Sequence, residues 1–129
     1  MFSHHVLRWI AVLASAAHAY FAYREMRGWG RDLVKSVAPR WLTDPVPATD
    51  DQIAWARDLA FNVGAYNFML AVGLAWVAYD GAPKASLGIF FAVWLLVAAA
   101  VALHTGVMAA FYMQGVLGVM LLAASIWAR

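Results

Sequence analysis

From Leu87 to Ala128 the chain runs 42 residues without an Asp, Glu, Lys or Arg. A single helix of that length would extend about 63 Å at ~1.5 Å per residue, roughly twice the hydrocarbon thickness of a bilayer. The run therefore has to double back as two membrane-spanning helices with almost no loop between them. Gly106, with the small residues around Ala109, is the place where such a turn fits best. Lipid offers no hydrogen bonds to the backbone, so each pass must pair its own N–H and C=O groups, which an α-helix does.

Composition carries the same message for the whole chain. Of its 129 residues 65% are hydrophobic and only 12% charged, against about 25% charged in soluble domains. Its net charge of +2 is too small a bias to indicate nucleic acid. Cysteine is absent, which removes disulfides, thiolate nucleophiles and Cys-ligated metals. No Gly-rich phosphate loop or GxSxG element occurs, and no motif asks for a cofactor. The partner that composition does demand is the lipid bilayer.

Twelve of the sixteen charges fall between Arg24 and Asp58 and divide the chain. Before them lies an apolar run expected to span from about residue 6 to 23. Ala14–Ala19 (ASAAHA) has the spacing of a signal-peptide cleavage site. The aromatic cluster Tyr20, Phe21 and Tyr23 instead suits an interfacial belt, so a retained first helix is expected. The second span is expected over about 58–79. Thr49-Asp50-Asp51-Gln52 reads as a capping box with acids in the first turn, so this helix starts near Asp50, ahead of the membrane. It should end at Asp80-Gly81-Ala82-Pro83. The third and fourth spans are expected over about 86–105 and 110–127. The result is a single domain, an all-α integral membrane four-helix bundle.

Between the first two spans, Trp29, Leu33, Val37 and Trp41 recur at helical spacing until Pro39 and Pro45-Val46-Pro47 interrupt. They predict a short interfacial amphipathic segment, or else an irregular polar loop. With four spans, Arg8, Lys84 and Arg129 share one side. Arg24, Arg27, Arg31, Lys35, Arg40 and Arg57 lie on the other. The positive-inside rule puts the long loop in the cytoplasm and both termini outside.

Four helix ends meet on that loop side, and the polar residues rare in lipid gather there. The first helix offers His18 and Glu25, seven residues apart and so close to one face. The second offers Asn62, Tyr66 and Asn67. The third ends in His104-Thr105, and the fourth begins with Tyr112 and Gln114. Each also has a plain structural role. Glu25 sits among arginines, His104 suits the last carbonyls of its helix, and amides serve as glue between membrane helices. Tyr66 and Tyr112 suit an aromatic belt, and Gly64, Gly73, Gly115 and Gly118 let backbones approach, within the bundle or between copies in a homo-oligomer.

Together these residues suggest a pocket for a small lipophilic ligand. Ionisable groups within a membrane are functional candidates by default. Glu25 would exchange a proton, helped by His18 or His104, while Asn62, Tyr66, Asn67, Thr105 and Gln114 bind and orient the ligand. Such chemistry fits isomerisation, cyclisation or epoxide opening. A metal held by His18, His104 and Glu25 lacks any supporting HxxH or ExxH spacing, so no metal is expected. The alternative is a non-enzymatic accessory or transport subunit, in which the same groups lock the helices together.

The stretch NVGAYNFMLAVGLAW, Asn62 to Trp76, resembles a pattern of the small four-helix membrane proteins grouped as domain of unknown function 1304. That pattern reads Asn-Gln-Gly-x-Tyr-Asn-x-Phe-Leu-Ala-x-Gly-Leu. Asn62, Gly64, Tyr66, Asn67, Leu70, Ala71, Gly73 and Leu74 match it, Val63 replaces the Gln, and Met69 stands at the Phe. Glu25-Met26 is similar to the family's Glu-Met pair, and Thr105 with Gln114-Gly115 to its Thr…Gln-Gly spacing. The family's following proline is missing. The resemblance implies four helices and marks Glu25, Asn62, Tyr66, Asn67 and Gln114 as signature positions. It implies no reaction.

Overall fold

A computed structural model describes residues 2–28, 49–79 and 85–129. Four α-helices follow in chain order: α1 (Phe2–Gly28), α2 (Asp50–Tyr79), α3 (Ala85–Thr105) and α4 (Met108–Trp127). No strand occurs among the described residues. All four helices are long and apolar enough to cross a membrane. The expected amphipathic segment over Trp29–Trp41 and the turn at Asp80–Pro83 lie outside the described residues.

Local chemistry sets the helix ends. At the start of α2, Thr49 N–H donates to Gln52 Oε1 (3.0 Å) and Gln52 N–H donates to Thr49 Oγ1 (3.3 Å). This is the reciprocal capping box, with Asp50 and Asp51 beside the positive end of the helix dipole. Between α3 and α4 the chain reverses over Gly106 and Val107 alone. Gly106 takes φ 81°, a left-handed conformation that costs glycine least. Its N–H bonds Leu103 O at 3.2 Å and Val107 N–H bonds Ala102 O at 2.8 Å, closing the end of α3. Helix α4 therefore begins two residues earlier than the sequence pattern alone indicates.

The helices pair as two hairpins. Helix α1 packs most extensively on α2, and α3 on α4; α1 meets α4 less closely, and α2 meets α3 less closely still. Within the first hairpin, Ser15 Oγ donates to Ala71 O at 2.8 Å, crossing between helices. A methyl group on Gly64 would lie 2.5 Å from Met26 Cγ and 3.1 Å from Ala22 O, so the two backbones approach there as only glycine allows. In the second hairpin Gly118 abuts Leu95 and Leu96, and Gly88 abuts Ser125. Close approach replaces the hydrophobic drive that lipid does not supply.

Large apolar side chains interlock in one half only, the half near the two chain ends. Leu7, Leu74, Val77, Leu95 and Leu121 are almost wholly buried there and form one cluster with Ile10, Ala92 and Ala124. Outward faces carry exposed Phe68, Met69, Val93, Val97 and Val116, as lipid-facing surfaces do. At the loop-side end of α1, Arg24 donates to Tyr20 Oη (3.1 Å) and Arg27 to Tyr23 Oη (2.8 Å), with each guanidinium near its tyrosine ring. Such pairs anchor a helix at the headgroup level, where one end of the side chain is apolar and the other wet.

Candidate functional site

Helical spacing of buried residues shows which polar groups face inward. On α1 the inward stripe is Leu7, Ala11, Ala14, His18 and Ala22, continuing to the half-buried Glu25. On α2 it is Ala60, Gly64, the half-buried Asn67, Ala71 and Leu74. On α4 the half-buried Gln114 precedes Gly118, Leu121 and Ser125. His18, Glu25, Asn67 and Gln114 thus lie on interior faces. Asn62, Tyr66, His104, Thr105 and Tyr112 are exposed, Tyr66 at 72% and Tyr112 at 62%.

Glu25 and Asn67 are joined directly, Asn67 Nδ2 donating to Glu25 Oε2 at 2.7 Å. Side-chain direction explains why residues offset along the hairpin meet. Helical side chains lean toward the N-terminus of their own helix. Glu25 on α1 therefore leans deeper into the bundle, while Asn67 on the antiparallel α2 leans toward the loop. A short bond to an ionisable carboxylate is among the stronger hydrogen bonds a side-chain amide makes.

His18 is completely buried. Its Nδ1 lies 2.8 Å from Ala14 O, one turn back on the same helix, and its ring meets Phe21 edge-on at 5.8 Å between centroids. Nε2 is buried with no hydrogen-bond partner among the described residues, as is Ser125 Oγ in the opposite half. Buried polar atoms are nearly always partnered, so each of these calls for an explanation.

Register fixes the depths. Helices α1 and α3 run parallel, with Leu7 beside Gly88. Eleven residues further along each, His18 is level with Ala99, which itself packs against Gly115, next to Gln114. Glu25, eighteen residues past Leu7, is level with the Gly106 turn. Helices α3 and α4 have 21 and 20 residues, about 30 Å at ~1.5 Å each, so their turn marks one face of the hydrocarbon. The polar groups consequently form two tiers rather than the single layer the sequence suggested. Glu25 stands at the loop-side boundary, and His18 with Gln114 lies about 10 Å deeper.

The remaining candidates sit around this interior. Thr105 Oγ1 donates back to Val101 O at 2.9 Å, within its own helix, and His104 is exposed at the end of α3. Asn62, five residues before Asn67, falls on another face of α2. Tyr112 lines an apolar groove of about 590 Å³ on the surface of α3 and α4, together with Leu96, Leu103, Phe111 and Met120. Among the described residues no three His, Asp or Glu side chains converge on a metal-sized site, so His18, His104 and Glu25 do not form one. Sequence reasoning overlooked Ser15 and Ser125. Isolated serines in apolar runs resemble alanine in pattern, and only their helix partners distinguish them.

No curated protein and no solved structure matches the chain. One family model does, over residues 12–126. That span takes in the Glu25–Asn67 pair, His18 and all of the polar positions discussed above. The chain belongs to the family described as Protein of unknown function (DUF1304).

Proposed function

We propose that the loop-side interior binds a small lipophilic molecule and that Glu25 exchanges a proton with it. The bond from Asn67 to Glu25 carries this reading. It crosses two helices to hold a carboxylate at the edge of the hydrocarbon, where charged groups are rare and costly unless used. An amide neighbour orients a carboxylate without neutralising it, as a general acid–base requires. Asn67 and Gln114 orient the bound molecule, and His18 acts from the deeper tier. Asn62, Tyr66, His104 and Thr105, all exposed, stand at the periphery and meet the molecule on its way in. Isomerisation, cyclisation or epoxide opening are the reaction classes such a set supports. In this reading the loop side faces the cytoplasm, with six Lys and Arg against three on the other side.

Purified wild-type protein should yield a lipophilic molecule on organic extraction, identified by mass spectrometry. Glu25→Gln and Asn67→Ala should lose it, while Asn62→Ala, on an exposed face, should keep it. Equal recovery from all four proteins removes the assignment. Orientation is accessible separately: with no native cysteine, single cysteines at Arg8 and Asp51 report sidedness by labelling in intact cells.

A second reading is favoured by the Ser15–Ala71 bond and the tight Gly64 contact. Here the polar groups lock the first hairpin, and the protein serves as an accessory or transport subunit. It predicts that Asn67→Ala lowers stability with no bound molecule to lose.

A further inference from the structure

On the outward face of α3 and α4 lies a groove of about 590 Å³, separate from Glu25, Asn67 and His18. Its volume falls within the ~300–1,000 Å³ typical of small-molecule sites. A contrast in side-chain size creates it. Ala99 and Gly115 meet at its floor, where a methyl group on Gly115 would sit 3.7 Å from Ala99 Cβ. Small residues there let the two helices draw together. Leu103, Tyr112, Val116 and Met120, all exposed, stand along its sides. Between them the surface is open to whatever surrounds the bundle, and in a membrane that is hydrocarbon.

Depth along the helices gives the groove two distinct ends. Leu103 is three residues before Gly106 and Tyr112 five after Val107, about 5–8 Å below the turn at ~1.5 Å per residue. Leu96 and Met120, at the other end, are about 15–20 Å below it. The midplane of a ~30 Å core lies about 15 Å from each face. The groove thus begins beneath the loop-side boundary and ends near the middle of the membrane. Tyr112 supplies the one polar side-chain group among the lining residues. Helical side chains lean toward the N-terminus of their helix, which on α4 is the loop-side end. The tyrosine hydroxyl is thereby carried toward the headgroup boundary.

These features suit a lipid chain better than a second copy of the protein. A helix from another copy crosses both leaflets, whereas the groove serves one. Stable interfaces use about 20–30 residues a side; ten line this groove. Helix contacts in membranes also favour small residues, and here Ala99 and Gly115 are already engaged with each other. An acyl chain is thinner than a helix and enters from one leaflet. Its ester carbonyl, an acceptor, sits at the boundary that the Tyr112 hydroxyl approaches. We propose that the groove holds one acyl chain of a glycerophospholipid of the loop-side leaflet, with its ester carbonyl accepting the Tyr112 O–H.

The test uses the full-length protein in phosphatidylcholine nanodiscs containing a trace of phosphatidylcholine with a diazirine halfway along one acyl chain. Cross-linked residues are mapped by peptide mass spectrometry after illumination. Phe68 and Met69 on α2 are exposed at the same depth, since the Ser15–Ala71 bond puts them near the level of His18 and Ala99, and they serve as reference. In wild type, Val116 and Met120 should be labelled about fivefold more than this reference, a preference of ~1 kcal/mol. Equal labelling overturns the proposal, and so does labelling below the reference, the result if a second copy covers the groove. Ala100→Phe, at an exposed lining position, fills the groove and should bring the ratio to one; an unchanged ratio overturns the proposal. Should that variant fail to fold, an ether-linked probe with the same diazirine decides. Wild type should label about threefold more with the ester than with the ether, as one hydrogen bond in a membrane allows, and Tyr112→Phe should make the two equal. Equal labelling by ester and ether in wild type, or an ester preference that survives in Tyr112→Phe, overturns the proposal.

Discussion

The two halves of this bundle are made from the same four helices, yet their interiors have little in common. Near the chain ends, Leu7, Leu74, Val77, Leu95 and Leu121 interlock as a dry apolar core. Toward the loop, the corresponding interior positions hold Ala22, Gly64, Ala99 and Ala102, with His18, Glu25, Asn67 and Gln114 among them. Dispersion contacts scale with the number of packed atoms, so the first half contributes most of the cohesion. The second half keeps its helices together through a few hydrogen bonds and one close glycine contact.

Breaking the comparison begins in the apolar half. Leu121→Ala, at a fully buried position, should cost about 2–4 kcal/mol, the range for such truncations in well-packed cores. Steric-trapping or denaturant unfolding in micelles would measure it. A cost below about 1 kcal/mol would mean that this half is not the stabilising one.

Next comes the close approach of the first hairpin. Gly64→Ala places a methyl group 2.5 Å from Met26 Cγ and 3.1 Å from Ala22 O. The flexible methionine can move, but the carbonyl cannot move without its helix, so a loss of about 1–3 kcal/mol is expected. Cross-linking yield between cysteines placed on α1 and α2 should fall in parallel.

Smaller effects sharpen the account of the polar half. Asn67→Ala should cost about 0.6–2 kcal/mol, the range for interhelical hydrogen bonds in membranes. A double-mutant cycle with Glu25→Gln isolates the pair from other consequences of each change. Ser15→Ala removes a single bond to Ala71 O and should cost about 0.6 kcal/mol. Asn62→Ala should stay within about 0.5 kcal/mol of wild type, because its side chain is exposed. If Asn62 and Asn67 prove equivalent, the inward and outward faces of α2 have been misassigned.

Those two asparagines also show where sequence reasoning stops. Four helices were legible because charges are absent from the long apolar runs, and the start of α2 was legible in Thr49–Gln52. Asn62 and Asn67 lie five residues apart, about 140° around a helix of 3.6 residues per turn. Only one can face the interior. A helix that is apolar on every side carries no stripe to say which, so both entered the candidate set. Packing against α1 decides it, through Ser15 on Ala71 and Ala22 on Gly64. The separation of His18 from Glu25 into two tiers was open to calculation from their seven-residue spacing. Choosing the layer that holds Gln114 was not, because that depends on the register between hairpins.

The central claim is that the loop-side interior exists to hold a molecule rather than to hold the helices. Native mass spectrometry of Glu25→Gln beside wild type, both released from membranes without added lipid, tests it most directly. Glutamine keeps the size of the side chain and an acceptor for Asn67, so the fold should survive. The account predicts a bound mass on wild type that is lost or strongly reduced in Glu25→Gln. An identical spectrum from the two proteins would contradict it.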